Sequence, residues 1–178
     1  MDVLKESRSN LPPAQKASLA RIFCLTLVFN VAFNGVLGGL MFGRRSSIPM
    51  WGDPSVGVDA IFTTFLLPFF SALILLPVVN DALTSGKLHS AAFYWHRYLV
   101  LEKLPEGNFM AAFCLAAASL VLVTPLAIGV LIGFWPQTFS VAEAVIAKML
   151  YSGALTCGSV PAILFIGVHQ HRKAQSPS

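Results

Sequence analysis

The chain has 178 residues, of which 56% are hydrophobic and only 11% charged, with a mean hydropathy of +0.72; soluble domains carry roughly 25% charged residues, so the chain is too apolar to be a water-soluble globule. A net charge of +4 invites a nucleic-acid reading, but the basic residues are scattered between apolar runs and form no continuous basic face. Cys24, Cys114 and Cys157 each fall inside an apolar run without CxxC spacing, so neither a disulfide framework nor a zinc site is indicated and they read as small hydrophobes.

Residues 1–21 are polar, include Asp2 and Glu6, and precede an apolar run too long for a signal peptide, so the run is expected to stay in the mature protein. Pro12 and Pro13 suit a helix start, because the first turn tolerates proline. Spanning a hydrocarbon core of about 30 Å takes about 20 apolar residues at about 1.5 Å each, and the first charge-free stretch, 22–42, meets that length. On it Gly35, Gly39 and Gly43 form overlapping GxxxG motifs, the spacing through which helices approach closely in lipid. Thr26, Asn30 and Asn34 are also four apart; each step of four turns about 40°, giving one polar stripe.

The second span, 60–80, lies between Asp59 and Asp81, with Asp59 and Thr63 on one face. The connecting segment 81–109 contains "FYWHRY", four aromatic rings with a histidine and an arginine. Phe93, Tyr94, Trp95, Arg97 and Tyr98 read as an anchor at the headgroup zone, where amphipathic rings and basic groups concentrate. Haem ligation by His96 is the competing reading; it needs a second axial ligand, and the spans contain no histidine. No cofactor and no metal site is therefore expected.

The third span is 110–134, carrying Gly129 and Gly133, and the fourth is 144–168, interrupted by Lys148. Lys148, Ser152, Thr156 and Ser159 fall within about 80° of one another on a helix. With Glu143 and Asp59 near the same end, these stripes are expected to converge on one polar interior. It would be either a hydrophilic path with Asp59, Glu143 and Lys148 near its mouth, or a set of interhelical hydrogen bonds with Lys148 snorkelling outward.

Nine of the twelve Lys and Arg residues lie in the N-terminal segment, the 81–109 segment or the 169–178 tail, against Arg44, Arg45 and Lys148 elsewhere; the positive-inside rule then predicts cytoplasmic termini. A faint internal repeat is also present. Trp51, Asp59 and Pro77 recur 84 residues later as Trp135, Glu143 and Pro161, and the 39–43 glycine segment recurs after 90 as 129–133. Two tandem hairpins related by an axis along the membrane normal would account for it.

The expectation is one all-α, polytopic domain of four transmembrane helices arranged as two hairpins, in an inner (plasma) membrane. The layout broadly resembles small four-span bacterial inner-membrane proteins built from paired hairpins, a likeness that transfers no site residue. GxSxG, HExxH, Walker and GxGxxG motifs are absent from the sequence, so no enzyme is expected. The roles that remain are a helical subunit or accessory scaffold in a larger membrane assembly, touching lipid, other subunits or a second copy, and, alternatively, a small oligomeric transporter or channel for a polar solute or ion.

Overall fold

The structure is a computed structural model and describes residues 13–88, 107–134 and 137–175. Four long helices dominate it: α1 (Pro13–Phe42), α2 (Val56–Thr84), α3 (Asn108–Phe134) and α4 (Val141–Gln175). A short strand β1 (Ile48–Pro49) lies between α1 and α2, and β2 (Thr138–Phe139) between α3 and α4. All four helices are long and apolar enough to cross a membrane, and the chain has the make-up of a multi-pass membrane protein.

Local chemistry explains where the helices begin and end. Pro13 opens α1, where its missing N–H is no loss. Ser55 caps α2, its hydroxyl accepting from the Val58 N–H at 3.3 Å. Ser140 and Glu143 build a reciprocal box at the start of α4: the Ser140 N–H donates to Glu143 Oε2 at 2.8 Å and the Glu143 N–H to Ser140 Oγ at 3.3 Å. Gly86, with φ of 73°, ends the α2 region in the left-handed conformation that glycine adopts at helix C-termini. Pro68, Pro77, Pro125 and Pro161 lie inside continuous helices, as helices packed in lipid allow.

The helices are longer than the predicted spans at most ends. At about 1.5 Å per residue even the shortest, α3, reaches about 40 Å, more than the hydrocarbon thickness of about 30 Å. Their packing differs from simple hairpins. α1 lies along α4, α3 lies along α2, and α2 and α4 pack against each other at the centre. Each helix of the outer pair thus finds its main partner in the other half of the chain. The same crossing occurs in the connections, where β1 and β2 pair antiparallel with Ile48 opposite Phe139 and Pro49 opposite Thr138.

Three apolar clusters divide the interior. Phe42, Ile48, Met50, Val56, Phe139 and Ala144 close the end that carries the strands. Leu76, Ala111, Ala112, Val160 and Ile163 are at the heart of a second, between α2, α3 and α4. Val79, Leu83, Leu88 and Val168 form the third, toward the opposite end. The outside is as apolar as the inside: Leu40, Val121, Leu122 and Leu126 are about 70% exposed. Burying leucine against leucine gains little over lipid, so close packing and interhelical hydrogen bonds hold such a bundle together.

Candidate functional site

Between the strand-end cluster and the central one, α1, α2 and α4 enclose a polar interior. α1 supplies Asn30 and Asn34, both over nine-tenths buried. The Asn34 amide donates to the Asn30 carbonyl at 2.9 Å. Asn30 reaches both neighbouring helices, donating from Nδ2 to Thr156 Oγ1 at 3.0 Å and to Ser71 Oγ at 3.3 Å. Thr156 can accept because its own hydroxyl donates to the Ser152 carbonyl at 2.8 Å. One asparagine therefore ties three helices. Replacing Asn30 by leucine is expected to destabilise the bundle by about 0.6–2 kcal/mol, the range for interhelical hydrogen bonds in membranes, read as a lower midpoint in detergent unfolding.

Nearer the strand end, Lys148 on α4 makes an ion pair with Asp59 on α2, and its Nζ also lies 3.5 Å from Thr63 Oγ1. Both side chains are more than nine-tenths buried. Lys148 therefore does not snorkel to the surface as the helix-end reading expects: its ammonium finds a carboxylate inside the bundle, at lower cost than leaving either charge alone. The stem is accommodated by Gly38 on α1, where a Cβ would come within 3.2 Å of Lys148 Cδ. Beside the pair, the Thr64 and Tyr151 hydroxyls share a hydrogen bond of 2.5 Å between α2 and α4.

Not every predicted residue joins this interior. Asn30, Asn34, Asp59, Thr63, Lys148, Ser152 and Thr156 are buried in it. Thr26 is half-buried and turns its hydroxyl back to the Ile22 carbonyl at 2.8 Å. Glu143 is exposed and occupied by the Ser140 cap, which removes it from the interior. Ser159 is buried with no hydrogen-bond partner for its hydroxyl. Periodicity did not single out Ser71, Thr64 and Tyr151. The signal available for them was weak, a hydroxyl one or two turns along the same helix from a residue already chosen.

The glycines divide in a way that spacing alone does not reveal. Gly35 packs on Met149, where a Cβ would sit 3.0 Å from the sulfur. Gly39, Gly129 and Gly133 face open space, and Gly43 crowds only the carbonyl of Gly39 in its own helix. The tightest glycine contacts with residues outside the glycine's own helix are at Gly57 and Gly167. His96 and the anchor residues Phe93, Tyr94, Trp95, Arg97 and Tyr98 lie outside the described residues, as does Trp135. Among the described residues no cluster of three His, Cys, Asp or Glu side chains could hold a metal.

A cavity of about 390 Å³ opens between α1 and α4, lined by Val31, Ile146, Met149, Leu150, Gly153 and Ala154. Its lining is apolar and three of its residues, Ile146, Leu150 and Ala154, are exposed on the outer surface, so it is an outward-facing groove separate from the polar interior. No family model, curated protein or solved structure matches the chain.

Proposed function

We propose that the chain is a helical subunit or accessory partner of a larger membrane assembly, seated in an inner (plasma) membrane with both termini in the cytoplasm. The observation that carries the reading is the asymmetry of α3. Its fully buried side chains are Ala111, Ala112 and Ala116, all toward one end, whereas Val121, Leu122, Leu126, Val130 and Ile132 are exposed and a Cβ added at Gly129 or Gly133 would have open space around it. A glycine pair at a spacing of four, left open within an exposed apolar surface, suits close approach by another helix. The polar interior is satisfied largely within the chain, which favours a bundle that is complete inside and engages others through its surface. The orientation rests on the distribution of Lys and Arg.

The finer fold reading is a tandem duplication of a two-helix unit. The strand pairing supports it: with an offset of 90, residues 48 and 49 correspond to 138 and 139, and the observed pairs, Ile48 with Phe139 and Pro49 with Thr138, exchange under a two-fold. The central helices support it at an offset of 84, where Ala60 and Ala144, Thr64 and Lys148, Ala72 and Thr156, Leu76 and Val160, and Val79 and Ile163 are all buried, and Pro77 corresponds to Pro161. The difference in offset falls after the strands, since six residues separate β1 from α2 and Ser140 alone separates β2 from α4. Trp51 and Trp135 are then not equivalent, because Trp51 follows β1 while Trp135 precedes β2.

Purification of the tagged chain from its native membranes in mild detergent tests the assembly reading. Partner polypeptides are expected to copurify and to be lost on Gly129→Leu, a change with open space around it that leaves the chain folded. A chain that travels alone, with no membrane polypeptide depleted when its gene is deleted, contradicts it. The buried charge pair and the asparagine stripe favour a second reading, a small oligomeric transporter or channel. It is separated by cysteine placed at Asn34: aqueous thiol reagents label it if a water path passes there, and the subunit reading expects it to stay unlabelled.

A further inference from the structure

The groove between α1 and α4 is shaped for hydrocarbon. Its α4 wall, Ile146, Met149, Leu150, Gly153 and Ala154, advances in steps of three and four and so runs as one stripe down the helix. Its floor lies where α1 comes close: a Cβ added at Gly153 would sit 3.4 Å from Val31 Cγ2. The polar side chains of the same stretch of α4 turn the other way, Lys148 to Asp59 and Tyr151 to Thr64. From Ile146 to Ala154 the wall is about 12 Å long at about 1.5 Å per residue. Spread over that length, 390 Å³ leaves a trough about 6 Å across, room for a hydrocarbon chain and not for a second helix, which measures about 10–12 Å with its side chains.

We propose that this groove holds one acyl chain of an anionic phospholipid whose phosphate headgroup rests on Arg44 and Arg45, in the leaflet at the strand end. Phe42, the last residue of α1, packs in one cluster with Val141 and Ala144 of α4, so the two exposed arginines that follow it stand at the head of the seam between these helices. Gly38 beside Val145 and Gly35 beside Met149 continue the seam down to the groove. Ile146 lies about 8 Å and Ala154 about 20 Å along α4 from its first residue. One leaflet contributes about 15 Å of the hydrocarbon core, so the groove covers the depth that an acyl chain hanging from the strand end occupies.

The headgroup supplies the selectivity. Nine of the twelve basic residues lie elsewhere, and beside the buried Lys148 only Arg44 and Arg45 depart from that bias. Among the described residues neither arginine makes an ion pair with a carboxylate: Asp59 is paired inside with Lys148, and Glu143 is occupied by the Ser140 cap. Guanidinium groups present planar, paired donors that match phosphate oxygens. Lipid tails are as apolar as leucine, so a chain entering the groove gains no hydrophobic energy; the trough contributes close packing on the chain, and the arginines contribute the preference for negative charge.

The full chain, purified in mild detergent and reconstituted in phosphatidylcholine vesicles, provides the test. Trace phosphatidylglycerol carrying a diazirine on its acyl chain is photolysed, and the labelled residues are mapped beside those reached by the matching phosphatidylcholine probe. The phosphatidylglycerol probe is expected to label Ile146, Leu150 and Ala154 at least about fivefold more than the phosphatidylcholine probe, since two arginines favour the anionic headgroup, while both label the exposed Val121, Leu122 and Leu126 of α3 alike. Arg44→Gln with Arg45→Gln should abolish the preference. Ala154→Phe, a change at an exposed position that fills the groove, should lower labelling of Ile146 and Leu150 by a similar factor with the α3 labels unchanged, which reports that the bundle remains folded. Equal labelling of the groove by the two probes, a preference as strong on α3, a preference that survives loss of both arginines, groove labelling indifferent to Ala154→Phe, or a groove left unlabelled because a second copy covers it overturns the proposal. None of these outcomes bears on copurification, which rests on α3.

Discussion

Asp59→Leu or Lys148→Met alone is expected to destabilise the bundle by about 3–5 kcal/mol, because each leaves one uncompensated charge in a dry interior. The double replacement should recover most of that loss, or exceed the original stability by as much as about 1–4 kcal/mol, since an apolar pair needs no desolvation of charge. The sign pattern distinguishes a buried pair from two interfacial charges. Both side chains are more than nine-tenths buried and Lys148 is held under Gly38, so neither side chain has an easy route to water. Unfolding midpoints of the two single variants and the double variant, measured side by side, check it. Single variants as stable as the original chain would mean that one charge reaches water unaided.

The second large effect lies at Gly57, in the first turn of α2. A Cβ there would lie 2.8 Å from the Met50 carbonyl oxygen and 2.8 Å from a ring carbon of Trp51. The obstacle is backbone held from two sides: that carbonyl accepts from the Gly57 N–H at 3.0 Å, and the Met50 N–H donates to the Gln137 carbonyl at 2.9 Å. Gly57→Val is therefore expected to cost about 1–3 kcal/mol, the usual range for overpacking a filled site, and to loosen the strand end as a whole. Gly39→Ala is the matched control. It adds a methyl group to open space on a helix, where alanine is favoured over glycine by about 0.8–1.0 kcal/mol, so its midpoint should stay level or rise. A loss in Gly39→Ala as large as that in Gly57→Val would show that the cost does not come from the contacts made at Gly57.

Those two glycines illustrate what could and could not be read from the chain beforehand. A spacing of four places Gly35, Gly39 and Gly43 on one face, but the face makes a contact only where another helix passes, and α4 passes at Gly35 and Gly38. Hydropathy offers no help in locating that passage, because a helix apolar all round has no stripe to mark its inner side. Polar residues are different. In an apolar helix a side chain needing hydrogen bonds has few places to go, so Asn30, Asn34, Asp59, Thr63 and Thr156 were legible as an interior from their periodicity. Which partner each takes was not legible, since period fixes an angle about one axis and says nothing of the neighbouring helix. The crossing of the halves, with α1 on α4 and α3 on α2, was hidden for the same reason. For Glu143 the sequence leaves two roles open, because an acid at a helix start serves a polar mouth or the cap equally well until Ser140 is seen beside it.

Hydrocarbon, and not water, is the expected solvent of the exposed apolar surface. Nitroxide labels at Val28 on α1 and Leu122 on α3, which are 67% and 68% exposed, compared with a label at the exposed connection residue Asp53, test this in reconstituted vesicles. The prediction is that dissolved oxygen relaxes the labels at Val28 and Leu122 strongly while a water-soluble nickel chelate does not, with the opposite order at Asp53. A nickel effect at Leu122 equal to that at Asp53 would place water, not lipid, against the helices and would contradict the account.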